Sequence, residues 1–111
     1  MDNCIFCKIS KHEIPSNIQF EDKEIIAFDD IHPKADVHIL VVPKRHIPSV
    51  NEIGKSDVEL MGKLIFTAKK IAHDKKLSGY KLVFNVGKDG GQVVEHIHLH
   101  LLAGQNLKSL V

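Results

Sequence analysis

Three histidines alternate with aliphatic residues in His96-Ile97-His98-Leu99-His100-Leu101-Leu102. A β-strand repeats its side-chain direction every two residues. The spacing therefore predicts His96, His98 and His100 on one face and Ile97, Leu99 and Leu101 on the other. On a helix the same residues would scatter imidazoles round the cylinder. Imidazole serves near neutral pH as nucleophile, proton carrier, hydrogen-bond donor or metal ligand. One histidine on a strand is usually a half-buried polar group. Three in strict alternation, just after Gly90-Gly91-Gln92, read as a site for phosphate chemistry or for a metal. A single ion held by all three is the poorest reading, because same-face neighbours lie ~6.6 Å apart and the outer pair about twice that.

Other residues could add to that chemistry. Cys4-x-x-Cys7 has the spacing that puts two thiolates on one zinc ion, which needs two further ligands. The same pair would also serve as small core residues. Asp30 ends an apolar run and precedes Ile31. It is either the cap of a loop or a carboxylate able to accept from both hydroxyls of a ribose, with apolar residues sandwiching a base. Gly87 to Gly91 holds three glycines in five residues. It is either a hairpin loop, as Asp89-Gly90 would suggest, or a backbone cradle for an anion. His38, at the start of an apolar run, is a solvent-facing strand end or a partner that orients a triad imidazole. His46 lies in the basic loop Lys44-Arg45-His46. His12, His32 and His73 have no supporting context and are read as surface residues.

The elements that must hold these groups are legible. Cys4 to Ser10 reads as a short helix or turn. Ile18 to Glu21 and Ile25 to Phe28 read as strands around Asp22-Lys23-Glu24, and Val37 to Val42 as a central strand stopped by Pro43. Ser56-Asp57-Val58-Glu59 reads as a capping box, with Ser56 the cap and Glu59 reaching back. From there an amphipathic helix runs to about Leu77, with Leu60, Met61, Leu64, Ile65, Ala68, Ile71 and Ala72 on its core side and Ser78-Gly79 ending it. Tyr80 to Val86 alternates as a strand, and Gln92 to Glu95 leads into the triad strand. The fold class is α+β: an antiparallel sheet of about five strands, one long helix and a short N-terminal helix.

Bulk composition sets limits. A chain of 111 residues with 43% hydrophobic content has room for a single domain, 1–111. A net charge of +1 argues against a nucleic-acid coat or a polybasic membrane binder. No apolar run approaches the ~20 residues of a membrane span, and no signal peptide is read at Met1-Asp2-Asn3. The expected compartment is the cytoplasm, where Cys4 and Cys7 would stay reduced.

The triad run, Asn85-Val86-Gly87-Lys88-Asp89-Gly90-Gly91-Gln92, Ile5-Phe6-Cys7-Lys8-Ile9, Glu13-Ile14-Pro15, Ala27-Phe28-Asp29-Asp30-Ile31 and His38-Ile39-Leu40-Val41-Val42-Pro43-Lys44-Arg45-His46 together resemble the histidine triad (HIT) family of nucleotide hydrolases and transferases. The likeness spans about residues 4–104 in the family's order and is nearest the Hint-type branch, the purine nucleoside phosphoramidases. It implies that His98 is the nucleophile, with its other ring nitrogen held by a backbone carbonyl. His100 would support the phosphoryl group or leaving group, and His38 would assist. Asp30 would take the ribose, with Ile31, Phe6, Ile9 and Phe28 as pocket walls and Asp29 turned away. Asn85, Gly91, Gln92 and Val93 would line the phosphate side. Relatives carrying the cysteine pair resemble a zinc-binding subset, which implies a structural zinc on Cys4, Cys7, His46 and His96. No organic cofactor and no Mg²⁺ are implied. The expected ligand is an AMP-type purine nucleotide, and the expected assembly a homodimer with the helices at its interface.

Two positions depart from the family pattern. Val93 stands where many relatives have Ser or Thr, so a hydroxyl near the phosphate is lost and only the N–H remains. The chain also has no Trp, and its end, Asn106 to Val111, lacks the Trp-bearing tail of the Hint branch. Alternative functions are a dinucleoside polyphosphate hydrolase and a non-catalytic nucleotide-binding or scaffold protein.

Overall fold

The computed structural model describes residues 3–105 and 107. Five strands, β1 (Ile18–Glu21), β2 (Ile25–Asp29), β3 (Val37–Pro43), β4 (Lys81–Val83) and β5 (Leu99–Ala103), form one antiparallel sheet in the order β1-β2-β3-β5-β4. Two helices, α1 (Ile5–Ser10) and α2 (Val58–Asp74), cover it. β2 and β3 are the most apolar segments and lie inside the sheet. Their residues divide by parity, as a pleat requires. Ile25, Ala27, Ile39 and Val41, with Ile97, Leu99 and Leu101, pack under Leu60, Leu64, Ala68, Ile71 and Ala72 of α2, with Met61 partly buried against them; Ile65, expected on this side, is instead 49% exposed. Ile26, Phe28, Leu40 and Val42 pack under Phe6 and Ile9 of α1. The imidazole face of the triad is thus the α1 face. Among the described residues no helix is long and apolar enough to cross a membrane.

Several boundaries differ from the sequence reading, each for a local reason. Ser56 does not cap the long helix. The N–H of Gly54 donates to Asp57 Oδ2 at 2.9 Å, and the N–H of Asp57 donates to Gly54 O at 3.0 Å, around a 3₁₀ turn at Lys55–Asp57. Asp57 is also paired with Arg45, so the residue that reaches back is Asp57 and not Glu59. The helix stops at Asp74, three residues before Leu77. Lys76 takes the left-handed conformation at φ 59°. Its N–H donates to His73 O, and the N–H of Leu77 to Ala72 O, both at 3.0 Å. That is the Schellman pattern, in which the second residue past the cap makes an apolar contact. Leu77 does so against the α2 core, so a periodic apolar residue lies just outside the helix.

β4 keeps only three residues of the expected strand at 80–86, and the ladder of β5 begins at Leu99, after His96 and His98. The segment between them is no hairpin. It makes a 3₁₀ turn at Lys88–Gly90, flanked by left-handed Gly87 and Gly91 at φ 70° and 86°. Most of the tail discussed above, Asn106 and 108–111, lies outside the described residues.

Candidate active site

Register brings the first two imidazoles together. His100 is opposite Leu40 and His38 opposite Leu102, so the histidines are diagonal neighbours on one face, within reach of long side chains. His38 Nε2 lies 2.8 Å from His100 Nδ1. The main-chain N–H of Lys34, which can only donate, meets His38 Nδ1 at 3.0 Å. Nδ1 of His38 therefore carries the lone pair, and its proton sits on Nε2, donating to His100. His100 accepts at Nδ1 and keeps its own proton on Nε2. The opposite tautomer holds at His98, whose Nδ1 donates to the carbonyl of His96 at 2.7 Å, leaving a free lone pair on Nε2. The His98 and His100 rings lie 4.8 Å apart. One face thus offers an available nitrogen lone pair beside an available N–H. That combination suits nucleophilic attack on an electrophile whose oxygens gain charge.

Burial keeps these rings neutral at pH 7. It lowers the pKa of His98 and of His38, in both cases against the attraction of Asp30 and at His98 also against the bond to the His96 carbonyl. It holds His100 at about 4, aided by repulsion from His98 and His38. Phe6 of α1 presses an aromatic edge arrangement on both His96 and His98, at 5.9 and 5.2 Å between centroids. His96 and His98 therefore share a face although neither is within the ladder.

A second cluster sits at the other end of the triad. The donor atoms of Cys4, Cys7, His46 and His96 all lie within 4.8 Å of one another. His96 Nδ1 is 3.2 Å from Cys4 Sγ, 3.6 Å from Cys7 Sγ and 3.2 Å from His46 Nδ1, and Cys7 Sγ is 3.4 Å from His46 Nδ1. Ordinary zinc bond lengths at a tetrahedral centre give edges of about 3.3 Å for N···N and about 3.6 Å for S···N. The set fits such an ion. His96 Nε2 donates to the carbonyl of Pro43 at 2.8 Å, which turns the Nδ1 lone pair into the cluster, as expected of a ligating histidine. Burial and the neighbouring Cys4 push the Cys7 thiol up to about 11.

Asp30, His38 and His100 also converge. Here the tautomers speak against a cation, since the N–H of Lys34 occupies His38 Nδ1 and leaves a proton on the nitrogen that would have to ligate. His38 and His100 are joined by a hydrogen bond, with the Asp30 carboxylate beside them.

The remaining predicted residues divide. Asp30 caps its loop, Oδ1 accepting from the N–H of His32 at 2.8 Å, while Oδ2 faces His38 Nε2 at 3.4 Å. Asp29 is engaged with Asn17 and Gln19 and does not join that group. Phe6, Ile9 and Phe28 form one buried cluster, with the Phe rings 5.4 Å apart. Ile31 stands outside it, 79% exposed. Asn85 donates to Gly90 O at 2.9 Å beside Gly91, and Val93 is exposed.

A family model described as scavenger mRNA decapping enzyme C-term binding matches residues 3–110. The crystal structure of a HIT family hydrolase from Legionella pneumophila is 51% identical, covers 96% of each chain and superposes with a TM-score of 0.92. A histidine triad protein from Clostridium difficile gives 0.93 at 43% identity, covering 98% of this chain and 96% of that one. The chain belongs to the histidine triad (HIT) family. Among its relatives, the purine nucleoside phosphoramidase of Escherichia coli is 43% identical over 108 residues, which are 96% of this chain and 91% of that protein.

In this HIT chain, a backbone carbonyl was expected at His98 and the His96 carbonyl holds it, whereas sequence reasoning missed the Lys34 N–H at His38 and the Pro43 carbonyl at His96. These are backbone atoms, and no residue type marks them. Gln92, expected to line the phosphate side, has both ends of its side chain hydrogen-bonded to main-chain groups.

Proposed function

We propose that this HIT protein cleaves purine nucleoside 5′-phosphoramidates, with an AMP-type nucleotide as product. The observation that carries this reading is the tautomer of His98, a neutral imidazole with its Nδ1–H tied to the His96 carbonyl at 2.7 Å and its Nε2 lone pair free. Nε2 attacks the α-phosphorus. An N–P bond to His98 forms as the P–N bond to the leaving nitrogen breaks, and the amine departs with a proton from solvent. Water then attacks the nucleotidyl-His98 phosphorus, returns that proton and releases the nucleoside monophosphate. His100 Nε2–H hydrogen-bonds the phosphoryl oxygens as they gain charge, and His38 holds His100 in the donating tautomer. Asp30 takes the ribose hydroxyls, Ile31 with Phe6, Ile9 and Phe28 bounds the base, and Asn85, Gly91 and Val93 face the phosphate.

Cys4, Cys7, His46 and His96 would hold a zinc ion. With four protein ligands it supplies no catalytic position and acts as a cross-link between α1 and the triad segment. The reading includes a homodimer. What supports it is the open edge at β4 and the half-exposed Ile65 and Phe66 on α2; sedimentation velocity tests it.

The deciding experiment is hydrolysis of adenosine 5′-monophosphoramidate, read as AMP release. Wild type should turn over, while His98→Ala should lose nearly all rate and still bind AMP. A wild type that binds AMP without turnover would replace this reading with that of a nucleotide-binding module. Faster cleavage of diadenosine polyphosphates than of the phosphoramidate would move the reading to a polyphosphate hydrolase.

A further inference from the structure

Gln92 sits in an environment with an unusual demand. Its Oε1 accepts the main-chain N–H of Gly87 at 2.9 Å, and its Nε2 donates to the carbonyls of Pro48 at 2.7 Å and Val94 at 2.9 Å. One donor and two acceptors face it, the complement of a primary amide. A carboxylate lacks the protons, an apolar chain lacks everything, and Asn is one methylene too short. The main chain repeats the link, because the N–H of Gln92 donates to Gly87 O at 3.0 Å.

Three segments therefore meet at one side chain. Gly87 opens the glycine turn. Pro48 lies two residues after His46. Val94 O also accepts the N–H of His96 at 2.9 Å, and His96 in turn supplies the carbonyl that orients His98. Between Gln92 and Val94 stands Val93, whose side chain is 90% exposed and whose N–H meets no acceptor among the described residues. The amide holds the residue before this peptide and the carbonyl after it.

We propose that Gln92 is a positioning residue: it clamps the glycine turn to the triad segment so that the Val93 N–H is presented to the substrate phosphate, and it does not touch substrate itself. The assignment rests on the nucleotide reading above and adds to it the device that holds the phosphate side in place.

The test compares wild type, Gln92→Met and Gln92→Glu by three measurements: amide exchange at Gly87 in the ligand-free protein, affinity for AMP against adenosine, and phosphoramidate turnover. In Gln92→Met, Gly87 should exchange about tenfold faster. AMP affinity should fall about tenfold with adenosine affinity within about twofold, and kcat/KM should fall in step with AMP, as the loss of one well-placed hydrogen bond implies. Gln92→Glu keeps an acceptor for Gly87, so that amide should stay protected, while repulsion from two carbonyls should weaken AMP at least as much. Loss of AMP affinity in Gln92→Met with unchanged Gly87 exchange would overturn the proposal in favour of direct phosphate contact. Faster exchange with unchanged AMP affinity would overturn it by showing that the clamp does not serve the site. A wild type without turnover, whose variants still show the shifts in exchange and affinity, would remove the phosphoramidase reading and leave Gln92 as assigned.

Discussion

Protonation of His100 should make a measurable part of the acid sensitivity of this fold. In the unfolded chain its imidazole titrates near 6.5, whereas burial holds it at about 4 in the native protein. Between those values the unfolded state binds a proton that the native state refuses. Stability from this group is complete above the unfolded value and is lost as the pH falls from about 6.5 to about 4. Going from pH 7 to pH 5, the linkage integral gives about 1.8 kcal/mol as an upper bound. His100 is only partly buried, and screening by solvent reduces the expectation to about 1 kcal/mol. Other groups titrate in the same range, so the test is a double difference: urea unfolding of wild type and His100→Gln at pH 7 and pH 5. The wild type should lose about 1 kcal/mol more than the variant over that interval. Equal losses would refute the claim that the fold keeps this imidazole neutral by burial.

Metal-free, reduced protein should take up one equivalent of zinc. Because the Cys7 thiol lies at about 11, binding at pH 7 should release at least the Cys7 proton, seen as a dependence of calorimetric heat on buffer ionisation enthalpy; Cys7→Ala should abolish the uptake and His98→Ala should keep it. Lys76→Gly relieves a left-handed backbone at φ 59° and should stabilise the protein by about 0.5–1 kcal/mol in urea unfolding, with no change meaning that the Schellman turn carries no strain. Asp57→Ala should lower the melting temperature and Ser56→Ala leave it unchanged, since Asp57 supplies the bond to the Gly54 N–H; the reverse order would restore the Ser56 cap.

The sequence by itself determined the parities. Alternation in His96 to Leu101 assigned imidazoles to one face and aliphatics to the other, and the residues divide along that line, by the pleat from Leu99 onward and by packing against Phe6 at His96 and His98. The same local logic found β1, β2, β3 and the body of α2. Boundaries were less legible where a residue obeys the helix period but is used just outside the helix. Leu77 is such a residue, held by a turn that Lys76, and not the nearby Gly79, provides. The cap was misplaced because Ser56-Asp57-Val58-Glu59 fits the local pattern, while in the fold Asp57 bonds the Gly54 N–H and pairs with Arg45 from the β3 end. The tertiary structure alone decided which nitrogen of each imidazole is free. That choice rests on backbone donors and acceptors from distant turns, the Lys34 N–H, Pro43 O and His96 O. Every residue except proline carries both groups, so no residue type can announce where they will point.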